Sequence, residues 1–262
     1  MLGAIPPPPT WEAMPDVPEM LFLGFSTVFL VAFVAYGIHR WRTKGEVLAL
    51  LFAAGGAVCS LYEPIVGTMG HMYIPKQDAM VAWTFIDRSM PVFVPVAYVS
   101  AIGGSAYIAY RVAKDGRHPR RLFILFAIEF AAIISFETPA VLMDVYHYYG
   151  DQPLNLWGMP LWWGFVNPIS GMFVGVAIYA LEKRSPRDAK RFAFPLMCVG
   201  PGFSNGLIAA PMWLVLGDDS LGWAWQYDAA AISLGLALMC IRLLTVLGGL
   251  LDDDAPPSTA AV

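Results

Sequence analysis

Seven stretches of this chain are so long and so apolar that they leave almost no choice of fold. They cover roughly residues 20–38, 46–66, 90–112, 121–143, 160–181, 192–216 and 223–250. A helix needs about 20 residues to cross a hydrocarbon core about 30 Å thick. In lipid, only helices and closed barrels satisfy their own backbone hydrogen bonds. The runs therefore predict an all-α, polytopic membrane protein with seven transmembrane helices. Composition agrees, because only 14% of residues are charged and 58% are hydrophobic, whereas soluble domains carry about a quarter charged residues.

The loops predict an orientation. Arg40, Arg42 and Lys44 follow the first span. Arg111, Lys114, Arg117, Arg120 and Arg121 follow the third, and Lys183, Arg184, Arg187, Lys190 and Arg191 follow the fifth. The opposite loops hold only Lys76 and Arg88. By the positive-inside rule, the N-terminus is expected outside and the C-terminus inside. The expected location is the cell membrane, as a multi-pass protein of a bacterial inner membrane.

The chain divides into an extended Pro-rich arm (1–19), the seven-helix domain (20–251) and a short disordered acidic tail (252–262). The arm, "MLGAIPPPPTWEAMPDVPE", has no basic start of the kind a secretory signal needs. The net charge of -4 is small, and the basic residues sit where topology wants them. The expected partners are the lipid bilayer and a lipophilic small molecule, with no nucleic acid. Nothing in the sequence points to an oligomeric state.

Several chemistries lack their residues. A retinal Schiff base needs a lysine in the last helix, and "WAWQYDAAAISLGLALMCIRLLTVLGGLL" has none. Haem ligation needs histidines within helices, but His39, His71, His118 and His147 fall at helix ends or in loops. Cys59, Cys198 and Cys240 all lie within spans, without metal-ligand spacing. No metal and no cofactor are expected.

Ionisable groups inside a membrane are costly and are functional candidates by default. Six stand out: Glu63, Glu129, Glu137, Asp144, Asp228 and Arg242. Glu129 and Arg242 lie at matching depths, roughly 12 Å from the cytoplasmic end at 1.5 Å per residue. They are expected to form a structural ion pair. The other acids lie toward the outer side. Glu63 ends the second span and precedes Pro64, Glu137 shortly precedes Pro139, and Asp228 opens the last span. Asp144 follows Glu137 by two helical turns, on nearly the same face. Prolines break helix ends, and broken ends in membranes tend to line cavities.

The neighbouring segments supply a wall. Tyr62, His71 and Tyr73 surround Glu63 in sequence. "LNLWGMPLWWGFVNP" contributes Trp162, Trp163 and Asn167, and "WAWQYD" contributes Trp225 and Tyr227. Each aromatic alone is an ordinary interfacial belt residue. Together with outer-half acids from helices 2, 4 and 7, they predict an aromatic chamber open to the outside. Carboxyls kept out of water hold protons at higher pH and serve as acids, and aromatic faces stabilise cations.

The span layout, with Glu63 ending helix 2 and Asp228 starting helix 7, resembles the small seven-helix terpene cyclases of fungal meroterpenoid pathways. Those enzymes place a catalytic glutamate and an aspartate at comparable positions. The Glu63-Pro64 pair is also similar to the acid-proline pair after helix 2 in actinobacterial avermectin-type spirocyclases. Both resemblances imply acid-base ring formation on a lipophilic substrate, isoprenoid or polyketide. On this reading of the residues Glu63 is the expected acid, polarised by a neighbour such as His71 or Tyr62, and Asp228 the second acid or final base. Glu137 and Asp144 would position or relay protons. Two rivals share these features: a proton-coupled transporter and a non-catalytic membrane partner.

Overall fold

The computed structural model describes residues 7–115, 120–218 and 220–253. Arg117, His118, the first residues of the arm and the tail from residue 254 lie outside the described residues.

α1 (Asp16–Lys44) begins within the segment expected to be arm, directly after Pro15. Asp16 and Glu19 occupy its first turn, and Arg42 and Lys44 its last, so both ends complement the helix dipole. It stops at Gly45, whose φ of 65° is left-handed, a conformation glycine adopts without Cβ strain.

The second span is broken. α2 (Leu48–Cys59) runs into a 3-10 turn (Ser60–Tyr62) and then α3 (Glu63–Met69). Pro64 has no N–H to give the Ser60 carbonyl, and its ring crowds that carbonyl. The backbone therefore tightens before it, and Glu63 starts a new helical segment.

Where loops were expected, short ribbons cap one end of the molecule. β1 (Met72–Tyr73) is followed by the hairpin of β2 (Val81–Phe85) and β3 (Arg88–Pro91). Ile86 and Asp87 turn that hairpin with positive φ, as a two-residue turn requires. After α4 (Phe93–Lys114) and α5 (Arg120–Leu142), β4 (His147–Tyr148) returns antiparallel to β1. β5 (Asn155–Leu156) and β6 (Met159–Pro160) form a third ribbon.

α6 (Leu161–Arg184) leads to α7 (Pro186–Phe203), a π-helical turn (Ser204–Ile208), α8 (Ala210–Leu216) and finally α9 (Trp223–Asp253). Pro211 lacks an N–H for the Leu207 carbonyl, and the α7–α8 pair bends by 60° there. Six helical segments are long and apolar enough to cross a membrane, and the bent pair makes seven if taken as one span. The protein is all-α apart from its ribbons. Ion pairs Arg40–Glu46, Lys114–Glu182 and Arg121–Asp115 join the helix ends away from the ribbons, so basic residues gather at that end.

α4 is the central helix and packs chiefly on α2 and α6, while α6 also packs on α7. Small residues let these backbones approach. A Cβ on Gly103 would lie 2.6 Å from the Phe52 carbonyl oxygen, and one on Gly175 would lie 2.3 Å from that of Ala106. α1, α5 and α9 stand outside and turn side chains such as Val28, Ile128 and Met239 outward.

The α2–α4 contact is testable at two adjacent residues. Gly103→Ala meets backbone and should cost about 1–3 kcal/mol, lowering the unfolding midpoint in detergent by several degrees. Gly104→Ala meets nothing within 4 Å and should leave the midpoint unchanged or slightly higher.

Candidate functional site

A cavity of about 1020 Å³ lies among α1, α3, α4, α5, α6 and the π-helical turn. Its wall is mostly apolar, with Phe22, Phe93, Ile133 and Phe136 among the contributors. Three glutamates from two helices interrupt that wall: Glu63, Glu129 and Glu137. No lysine, arginine or histidine occurs among its described lining residues.

Each glutamate is held by a hydroxyl. Tyr98 of α4 donates to Glu63 Oε2. Ser105, two turns further along the same face of α4, lies 2.8 Å from both oxygens of Glu129. Tyr148 of β4 donates to Glu137 Oε2 at 2.8 Å, and Asn167 Nδ2 of α6 reaches Oε1 at 3.4 Å. Glu63 and Glu137 line the same cavity. Burial, with the neighbouring Glu137 carboxyl, holds the Tyr146 and Tyr148 phenols well above their usual range. Tyr148 thus remains a donor throughout the physiological pH range.

Prolines place several of these groups. Pro64 makes Glu63 the first residue of α3, while Pro139 and Pro168 lie inside α5 and α6 beside Glu137 and Asn167. Trp163 completes the ribbon end of the chamber, edge-on to Tyr148 at 5.8 Å. Its ring lies over Gly70, where a Cβ would come within 2.1 Å.

The cavity opens sideways between α1 and α5. Leu21, Gly24 and Phe25 of α1, and Ala132 and Ser135 of α5, are lining residues that are also exposed. Phe136 meets Phe22 at 5.0 Å and Phe25 at 5.9 Å across this gap. The opening therefore differs from the outward mouth expected from sequence.

Of the expected site residues, Glu63, Glu137, Trp163 and Asn167 share this cavity. Glu129 joins them, but as a lining acid bonded to Ser105. Its expected ion pair with Arg242 does not form: Arg242 is exposed on α9. Arg242 faces away from the bundle. Asp228, Trp225 and Tyr227 stand on the exposed side of α9 as well. The inward stripe of that helix is Ala229, Ala230, Ser233 and Ala237, and no acid of α9 occurs among the described lining residues.

Asp144 is also outside. α5 ends at Leu142 and Asp144 has a left-handed φ of 58°, so the helical face it would share with Glu137 has already ended. Its exposed carboxylate lies 3.9 Å from His147 Nδ1. His71 and Tyr73 are buried in the ribbon cap rather than lining the cavity. His71 stacks on Tyr149 at 5.0 Å. Tyr73 and Tyr149 flank the Arg88 guanidinium at 5.3 and 5.7 Å. Trp162 turns from the chamber and donates to Gln152 Oε1 at 3.1 Å. Tyr62 lies on the α7 side, facing Gly202.

Tyr98, Ser105 and Ser170 were missed, although Tyr98 and Ser105 carry a readable signal: two polar residues at helical spacing on one face of an apolar helix. The hydroxyl bonded to Glu63 is that of Tyr98, where His71 or Tyr62 is the expected neighbour. Among the described residues, no group of three or more His, Cys, Asp or Glu could hold a metal ion.

Removing one hydroxyl separates these partners. Tyr98→Phe leaves the buried Glu63 without its donor and should cost about 1–3 kcal/mol, read as a lower unfolding midpoint. Tyr62→Phe removes no bond to Glu63 and should leave the midpoint unchanged.

No family model, curated protein or solved structure matches this chain.

Proposed function

We propose that this chain is a multi-pass integral membrane enzyme, N-terminus outside and C-terminus inside, that cyclises or isomerises a lipophilic substrate of isoprenoid type by acid-base chemistry. One observation carries the reading. Carboxyls with their own hydroxyl donors converge on a single apolar chamber that opens sideways, where lipid would lie.

In this proposal the substrate enters between α1 and α5 and lies along the α4 face. Glu63, oriented by Tyr98, gives its proton to an alkene carbon or epoxide oxygen. The resulting cation is stabilised by the faces of Trp163 and Tyr148. A second alkene attacks with its π pair, forming the new carbon–carbon bond. Glu137, held by Tyr148 and Asn167, then takes a proton from the adjacent carbon. One proton enters and one leaves, so the product is an isomer of the substrate. The proton returns from Glu137 to Glu63 before the next turnover.

Glu63→Gln and Glu137→Gln should each reduce formation of a specific lipophilic product by about 10²–10⁴-fold. Mass spectrometry of lipid extracts at matched protein levels checks this. Wild-type product levels in Glu63→Gln would overturn the proposal.

The broken α7–α8 pair favours a proton-coupled carrier as the second reading. Proteoliposomes distinguish the two: an enzyme makes product without moving solute or protons across the bilayer, and a carrier does the reverse.

A further inference from the structure

The chamber occupies only part of the crevice that α1 and α4 form. On α4, Tyr98, Ala101 and Ser105 line the chamber, while Gly104, Ile108 and Arg111 line a second cavity of about 690 Å³. On α1, Leu21, Phe25 and Phe29 line the first, while Phe33, Tyr36 and Arg40 line the second. Steps of three and four residues keep each set on one helical face. The two cavities therefore follow one another along the same pair of helix faces. Beside Ser105, a Cβ on Gly104 would meet nothing within 4 Å, which leaves open space between them.

The second cavity differs in charge. Arg40, Arg111, Lys114 and Arg121 line it, against Glu46 and Asp115. Three of these cations are already paired: Arg40 with Glu46, Arg121 with Asp115, and Lys114 with Glu182 at 3.0 Å. Arg111 makes no ion pair among the described residues. Its Nη1 donates to the Tyr107 hydroxyl at 3.1 Å, and that hydroxyl gives its own proton to Glu46 Oε1 at 2.6 Å. The guanidinium carbon lies 5.9 Å from the Tyr107 ring centroid. Arg111 is thus held in place, yet it is exposed and most of its five N–H donors are uncommitted.

A lone arginine at a helix end commonly faces water. Here the surroundings specify more than water. Phe33, Gly104 and Ile108 make one side of the cavity apolar, and that side leads along α4 toward the chamber. Hydrocarbon at one end and an unpaired guanidinium at the other match an amphiphile with an anionic head. Phosphate fits the guanidinium fork, and basic pockets between membrane helices hold lipid phosphates. Arg111 and Tyr98 are thirteen residues apart on α4, about 20 Å at 1.5 Å per residue. A geranylgeranyl chain is of comparable length.

We infer that the ligand of this crevice is a single-chain lipid phosphate, with its head on Arg111 and its chain running along α4 into the chamber. This rests on the reading that the chamber takes an isoprenoid, and it names the group at the near end of that chain. The phosphate ester stays intact and acts as an anchor. The far end of the chain is the part that meets Glu63 and Tyr98.

The test binds tritiated geranylgeranyl phosphate to the purified full chain in phosphatidylcholine nanodiscs and adds competitors. Unlabelled geranylgeranyl phosphate should compete about tenfold or more better than geranylgeraniol, as one charge-assisted hydrogen bond implies. In Arg111→Gln that ratio should fall to about threefold or less. Arg111→Lys, which keeps the charge, should retain a preference. Arg191→Gln, at an exposed arginine outside the cavity, should leave the ratio unchanged. Equal affinities in wild type, a ratio untouched by Arg111→Gln, or no binding of either probe would each overturn the inference. So would inorganic phosphate competing as well as the lipid, which marks a site for a free anion. Displacement by phosphatidylglycerol in the nanodisc overturns it too, because the site then takes bulk lipid. The wild-type comparison stands even if a variant fails to fold. Phosphate preference in a chain that makes no product removes only the enzymatic reading. A chain that converts an isoprenoid without phosphate preference removes only the Arg111 reading.

Discussion

Backbone-to-backbone contact around α4 is the constraint on which the rest of the structure depends. α2 and α6 approach α4 so closely that a methyl group at Gly103 or Gly175 would strike a carbonyl. In lipid, which is as apolar as leucine, such close approach would replace the driving force that water supplies in soluble cores. With α2, α4, α6 and α7 drawn together, α1 and α5 remain on the far side of α4. They meet across the gap through Phe22, Phe25 and Phe136, and the chamber lies behind those rings.

The same tight centre explains why the polar groups converge. Proline breaks the second span at Pro64 and the α7–α8 pair at Pro211, and sits inside the continuous α5 at Pro139 and α6 at Pro168. Each of these prolines lies within about two helical turns of a glutamate or asparagine that lines the chamber. Carbonyls freed by proline are tolerated where they border an internal space, so the prolines and the polar residues share one location. The ribbon cap closes this end. Arg88, between Tyr73 and Tyr149, bonds the Tyr149 hydroxyl at 2.8 Å and reaches the Met72 carbonyl at 3.5 Å, tying the two ribbons together. Through β4, that cap delivers Tyr148 to Glu137.

The functional polarity of the chamber follows from what is present in its wall. Carboxyls, hydroxyls and two amides line it, while arginine and lysine collect at the opposite helix ends in ion pairs with Glu46, Asp115 and Glu182. A wall of this make-up offers carboxyls, hydroxyls and amides but no cation among its described residues. It is a poor match for a phosphate, which needs cationic donors.

Along each helix, the sequence alone determined a great deal. The apolar runs, the basic ends and the proline breaks were readable because they are one-dimensional, with depth following from 1.5 Å of rise per residue. That is how Glu63 beside Pro64 and Glu137 could be placed toward the same side. Bearing is different. Which way a residue faces depends on how its helix rolls against its neighbours, and small residues scattered over four helices decide that. Asp228 and Arg242 have suitable depths, yet α9 packs through Ala230, Ala237 and Ile241 and turns both outward. Asp144 has suitable spacing, yet its helix ends first. Tyr98 acquires its role only when α4 meets α3. The identity and depth of the acids belong to the sequence; their company belongs to the tertiary structure, because only packing sets the rotation of one helix against another.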